Sequence, residues 1–122
     1  MPFFNQKKLE ELRSIAGGDH VFLQKIGETY IAQFDRKFPE LKQAFDDNDP
    51  EQTEKIAHLL KGASYSVAAD DLADAFEQLE KEAENGSLEN AEQVLKNIDQ
   101  SMTEFRKIWL DAFIGKNPDA IQ

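Results

Sequence analysis

The sequence predicts an all-α protein, an antiparallel up-down-up-down four-helix bundle with a short additional N-terminal helix. Three observations predict it. Apolar residues recur at spacings of three and four along most of the chain, the period of one helix face. No alternating apolar and polar stretch is long enough for a strand. Glycine, proline, asparagine and aspartate interrupt the pattern in short turns, and turns that short bring successive helices together antiparallel.

The first helix starts at Asn5, an N-cap residue type, runs through Leu9, Leu12 and Ile15, and stops at Gly17-Gly18, where left-handed backbone is tolerated. It is short and expected to lie across the bundle. Asp19 is expected to cap a second helix with the apolar set Phe22, Ile26, Tyr30, Phe34, Phe38, Leu41 and Phe45. Pro39 lacks an amide and presses on the carbonyl of Asp35, but the pattern continues past it, which predicts a kink and not a break. The loop Asp46-Asp47-Asn48 follows.

The third helix has the strongest start signal, Asp49 as cap, Pro50 at the first helical position and Glu51 near the positive end of the dipole. It carries His58 near its middle. Asp70 is expected to cap a fourth helix through Leu72, Ala75, Phe76, Leu79 and Ala83, ending at Asn85-Gly86, and Ser87 to open the last. That final helix has the most regular seam, Leu88, Ala91, Leu95, Ile98, Met102, Phe105, Trp109 and Ala112. It is expected to be the longest packed element. Gly115 and Pro118 end it, giving one domain over residues 1–115 and a polar tail over 116–122.

Composition narrows the function classes. At 122 residues the chain has room for one bundle core. It contains no cysteine, which removes disulfides, zinc thiolates and thiol nucleophiles and suits a reducing cytoplasm. The longest uncharged stretch is Gly62 to Ala69, far below the roughly 20 residues of a membrane span, and no basic leader precedes an apolar block. A formal charge of −10, from 24 acidic and 14 basic residues, opposes binding to nucleic acid and anionic lipid, so the expected partners are proteins. One bundle with one outward histidine suggests a monomer, although nine phenylalanines leave room for an apolar patch.

The chemistry concentrates in Ile56-Ala57-His58-Leu59-Leu60-Lys61-Gly62-Ala63-Ser64. At about 100° per residue, Lys61 and Gly62 fall to either side of His58 while Ile56, Leu60, Ala63 and Val67 fall on the far side. His58 therefore looks outward. An imidazole between a cation and a residue without a side chain can receive a dianionic group, because Lys61 offsets charge and Gly62 leaves space for a partner. A glycine inside a helix costs roughly 1 kcal/mol against alanine and so asks for a reason. Taken alone, His58 reads as a solvated surface residue and Lys61 as a surface cation paired with Glu54 or another acid. The combination favours the chemical reading. Tyr65 shares the His58 face, as a docking residue or as a ring lying over the bundle edge.

This run, with Val67 and Ala69, resembles the H-x-x-K-G-[SA]-[SA]-x-x-[LV]-G-A signature of histidine-containing phosphotransfer (HPt) domains, the intermediate carriers of multistep two-component signalling. Leu72, Leu79 and Glu80 match a second patch of that family, and Ala68 stands where the family usually has glycine. The resemblance implies a four-helix bundle and reversible phosphoryl transfer between receiver-domain aspartates and His58. Lys61 would stabilise the phosphoryl group and Gly62 would give steric clearance. Glu80 matches the position from which a side chain can reach the imidazole and fix its tautomer. No catalytic residue beyond the phosphoacceptor and no cofactor is implied for the chain itself, the Mg2+ ion being expected on the receiver. An exposed imidazole is largely neutral near neutral pH, so no adjacent base is needed. Receiver docking is expected on an apolar patch, with Ile15, Ala16, Phe22 and Tyr65 as candidates.

No nucleotide-binding or dimerisation segment is visible, so the resemblance implies action in trans between a hybrid histidine kinase and a response regulator in the cytoplasm. The alternative from another class is a helical adaptor or scaffold that docks signalling partners without chemistry; a phosphohistidine-using phosphatase ranks after it. A metal site is not expected, since the two histidines are far apart and no H-E-x-x-H pattern is present. His20, beside Asp19, reads as a surface or capping residue. No paired-carboxylate pocket, phosphate-cradling glycine loop or Ser-His-Asp arrangement is visible.

Overall fold

The computed structural model describes residues 4–114, with side chains as far as residue 109. Five helices follow in order among the described residues: α1 (Gln6–Ala16), α2 (His20–Asp46), α3 (Pro50–Ser66), α4 (Asp70–Glu84) and α5 (Ala91–Ile114). α3 packs most extensively on α4, α2 closes on both α3 and α5, and α1 rests on α2. The four long helices thus form a ring around one core, and α1 is the additional element. No helix among the described residues is long and apolar enough to cross a membrane.

Local chemistry sets most boundaries. Asn5 Oδ1 accepts from the Lys8 amide, Asp19 from Val21 and Phe22, and Asp49 from Gln52, so three helices start at the expected caps. α2, α3 and α4 end in one hydrogen-bonded turn, in which the residue after the cap adopts positive φ. That residue is Asn48 in the first, Ala68 in the second and Gly86 in the third, at φ of 53°, 62° and 73°. In each turn its amide donates three residues back and the next amide donates five back, as with Ala68 to Tyr65 and Ala69 to Ser64.

Four expectations need correction. Asp70 does not cap α4: it is the first helical residue, and Ala69 holds the cap position without a side-chain bond. Its carboxylate is drawn across to α1, accepting from Asn5 Nδ2 at 2.7 Å and Lys8 Nζ at 3.0 Å. Ser87 does not open α5, because its amide donates to Glu82 O and completes the end of α4. α5 begins instead at Ala91. Nor is α5 the longest helix among the described residues, with 24 residues against 27 in α2, which runs without interruption through Pro39. Finally, the core stripe of the first turns of α2 is Leu23, Gly27 and Tyr30, while Ile26 is half-buried and Phe22 is exposed. Gly115, Pro118 and the tail lie outside the described residues, as does the side chain of Ala112.

The core is aromatic towards the α2–α5 side. Phe34 stacks on Phe38 with centroids 4.6 Å apart, Phe105 stacks on Trp109 at 5.3 Å, and Tyr30 meets Phe105 edge-on at 5.0 Å. Phe4 closes this end, 5.6 Å from Phe105 and 5.8 Å from Trp109. Its neighbour Asn5 donates its amide to Ala68 O, so the start of α1 bridges the α3–α4 turn and the aromatic cluster. α2 carries Gly27 where a Cβ would lie 2.1 Å from Trp109 Nε1. Glycine is needed there because the indole occupies the space of a side chain.

Candidate functional site

α3 is anchored through its inward face. Ile56, Ala57, Leu60 and Ser64 are buried, and Ser64 Oγ donates to the Leu60 carbonyl at 2.8 Å. With that hydroxyl proton committed, the Tyr30 hydroxyl, 2.7 Å away, donates to Ser64 Oγ. Burial pushes the Tyr30 hydroxyl up to about 12, against the lowering effect of the Ser64 bond, so this link between α2 and α3 stays protonated and uncharged. Fixing the inward face leaves His58 outward, with 68% of its side chain exposed.

Glu80 reaches the site from α4. It is only 8% exposed, and both its oxygens are engaged: Oε2 by His58 Nδ1, and Oε1 by Lys61 Nζ at 2.7 Å. Burial raises the carboxyl, but the bonds from Lys61 and His58 outweigh it and hold the group below the ordinary glutamate value. The same Glu80 bond raises the Lys61 ammonium. An ionised carboxylate only accepts hydrogen bonds, so the proton at this contact sits on Nδ1, and of the two neutral tautomers the contact selects the one with its lone pair on Nε2. That arrangement leaves an exposed ring nitrogen on the outer side of the helix with a carboxylate behind the other.

The surroundings are lopsided. On the α4 side, Glu54, Lys55, Glu80 and Glu84 line an open cleft of about 410 Å³ with His58. On the α2 side, a groove of about 340 Å³ runs between α2 and α3, lined by residues including Phe22, Ile26, Tyr30 and Ala63. Gly62 lies between His58 and that groove by helical angle. A Cβ at Gly62 would meet nothing within 4 Å, so the fold itself does not require glycine there.

The residues predicted for this site are partly brought together. His58, Lys61 and Glu80 form one hydrogen-bonded group, and the partner of Lys61 is Glu80, not Glu54. Phe22, 41% exposed, lines the α2–α3 groove. Tyr65 is half-buried and tied down, its hydroxyl donating to Asp74 Oδ1 at 3.2 Å and its ring lying 4.3 Å from Lys8 Nζ. Ile15, 74% exposed, and the half-buried Ala16 end α1 and do not line the groove. Sequence reasoning missed Leu59, adjacent to His58 and 41% exposed. An apolar residue about 100° round from an outward histidine and off the core stripe was the available signal. It also missed Val21, exposed beside Phe22. Among the described residues, no group of His, Asp and Glu is placed to hold a metal ion.

Comparison with known proteins bears on the whole arrangement. The family model described as the Hpt domain matches residues 25–108. No curated protein matches the chain. Among solved structures, the fold is similar to the crystal structure of histidine-containing phosphotransfer protein B from Pseudomonas aeruginosa PAO1. The TM-score is 0.80 at 20% identity, covering 88% of this chain and 91% of that one.

Proposed function

The chain belongs to the Hpt domain family and is a histidine phosphocarrier of phosphorelays, not a conventional enzyme; from that premise we propose that His58 is its phosphoacceptor. The observation that carries the assignment is the Glu80 carboxylate behind His58 Nδ1, which leaves Nε2 free on an exposed ring. In the forward step Nε2 attacks the phosphorus of a receiver aspartyl phosphate. The P–N bond forms, the P–O bond to aspartate breaks, and the aspartate leaves as a carboxylate. The ring then carries a positive charge, with the Nδ1 proton still donated to Glu80. The reverse step passes the phosphoryl group to a second receiver.

Lys61 has three ammonium donors and uses one on Glu80, so it can bond to a phosphoryl oxygen without releasing the carboxylate. Gly62 gives the receiver room over the helix, and the exposed Phe22 and Leu59 offer apolar contact on that side. The half-buried Tyr65 and Ala16 and the exposed Ile15 extend the candidate surface. In this reading the receivers belong to a hybrid histidine kinase and a response regulator, supply the Mg2+ and the catalytic pocket, and meet the chain as a monomer in the cytoplasm.

The test is phosphoryl transfer from phosphorylated receiver domains with Mg2+, read by mass and acid lability in wild type and His58→Gln. An acid-labile, alkali-stable phosphate on wild type alone is expected. Transfer to His58→Gln would move the acceptor to another residue and overturn the His58 assignment, and transfer to neither protein while both are folded would favour the scaffold reading.

A further inference from the structure

Resting on the carrier reading above, we propose that Lys25 selects among receivers by pairing with a carboxylate on the receiver surface that enters the α2–α3 groove. The groove walls are Phe22, Ile26, Tyr30, Ala63 and Ser66, and Lys25 is the charged side chain on its lining. No acidic side chain lines it, on a chain of formal charge −10. Lys25 is exposed and has no ion-pair partner among the described residues. The lysines of α3 each already face a carboxylate of this chain, Lys55 that of Glu51 and Lys61 that of Glu80.

The two flanks of His58 therefore differ in sign. Glu54, Glu80 and Glu84 outnumber the one lysine, Lys55, on the lining of the cleft on the α4 side, so a further carboxylate is repelled there. A partner that reaches Nε2 over Gly62 instead lies against the groove and meets Lys25. Apolar walls lower the local dielectric around such a contact, so the pair counts for more than one in open water. Charge at the rim of an interface acts mainly on encounter and on partner choice, and it is screened by salt. Lys25 therefore discriminates between receivers in KM without touching the reacting atoms.

The experiment compares transfer from a panel of phosphorylated receiver domains with Mg2+ to wild type, Lys25→Gln and Lys25→Glu, with His58→Gln as blank. Phosphoramidate, a small donor with no docking surface, is run in parallel. For receivers that label wild type, Lys25→Glu is expected to lower kcat/KM by about tenfold through KM, with Lys25→Gln between, the gap narrowing as salt rises. One carboxylate-to-lysine change on the receiver surface is expected to restore transfer to Lys25→Glu. Phosphoramidate should label wild type and Lys25→Glu at equal rates. Equal kcat/KM for wild type and Lys25→Glu with every active receiver, failure of every charge swap, or a matching loss with phosphoramidate would overturn the proposal. Absence of receiver transfer to wild type would instead sink the carrier reading, and this inference with it.

Discussion

Glu80 decides the chemistry of the site more than any other neighbour of His58. It holds an imidazole on one oxygen and an ammonium on the other, and this double engagement keeps it ionised despite burial. Because its carboxyl is held below the ordinary value, about 4.3 in an unfolded chain, its stabilising contribution is complete above that pH. The contribution is lost as pH falls through the lower folded value. Denaturant melts stepped from pH 6 to pH 3 should therefore show wild type losing stability relative to Glu80→Gln on acidification; parallel curves would mean that the two bonds add nothing to the fold. His58, Lys61 and Gly62 were legible in the sequence, because helical angle alone puts them on one face. That Lys61 is bound to Glu80 was not: the resemblance pointed to Glu80 for the imidazole, but spacing along α3 offered Glu54 as the nearer acid for Lys61, and only packing brings an α4 carboxylate between the two.

At the scale of the helix, starts were easier to read than ends. Asn5, Asp19 and Asp49 accept on their own side chains from backbone amides two or three residues further on, so their capping was visible in the chain itself. Asp70 looked the same and failed, because Asn5 and Lys8, distant in sequence, take its carboxylate. The matching ends of α2, α3 and α4 show that the backbone turn is the constant and the residue in it varies. Ala68 accepts left-handed backbone while fully buried, so the alanine that replaces the usual family glycine still closes the turn. A Cβ at Gly86 would meet nothing within 4 Å, and only its φ of 73° argues for glycine. Gly86→Ala should accordingly cost about 1 kcal/mol, the penalty of one left-handed alanine, seen as a lowered thermal midpoint; an unchanged midpoint would show that the α4–α5 turn relaxes to another conformation.

For the molecule as a whole, the decisive contact joins the first half of α2 to the far end of α5. Trp109 lies over Gly27 so closely that a methyl group cannot enter, and it also meets Phe105 and, through Phe4, the segment before α1. Gly27→Ala should destabilise the bundle by about 1–3 kcal/mol, as overpacked cores do. It should also shift the emission of Trp109, the one tryptophan in the chain; unaltered emission and stability would mean that the helices separate there without penalty. The sequence by itself determined the helix count, the bundle, the outward histidine and the small residues beside it, because periodicity and capping act over a few positions. Tertiary structure alone decided that the same Glu80 also holds Lys61, that Leu23 and not Phe22 faces the core, and that Phe22 and Lys25 share a groove with α3. Those depend on how one helix is rotated against another, and rotation is fixed by side chains far apart in sequence, such as Gly27 against Trp109 and Tyr30 against Ser64.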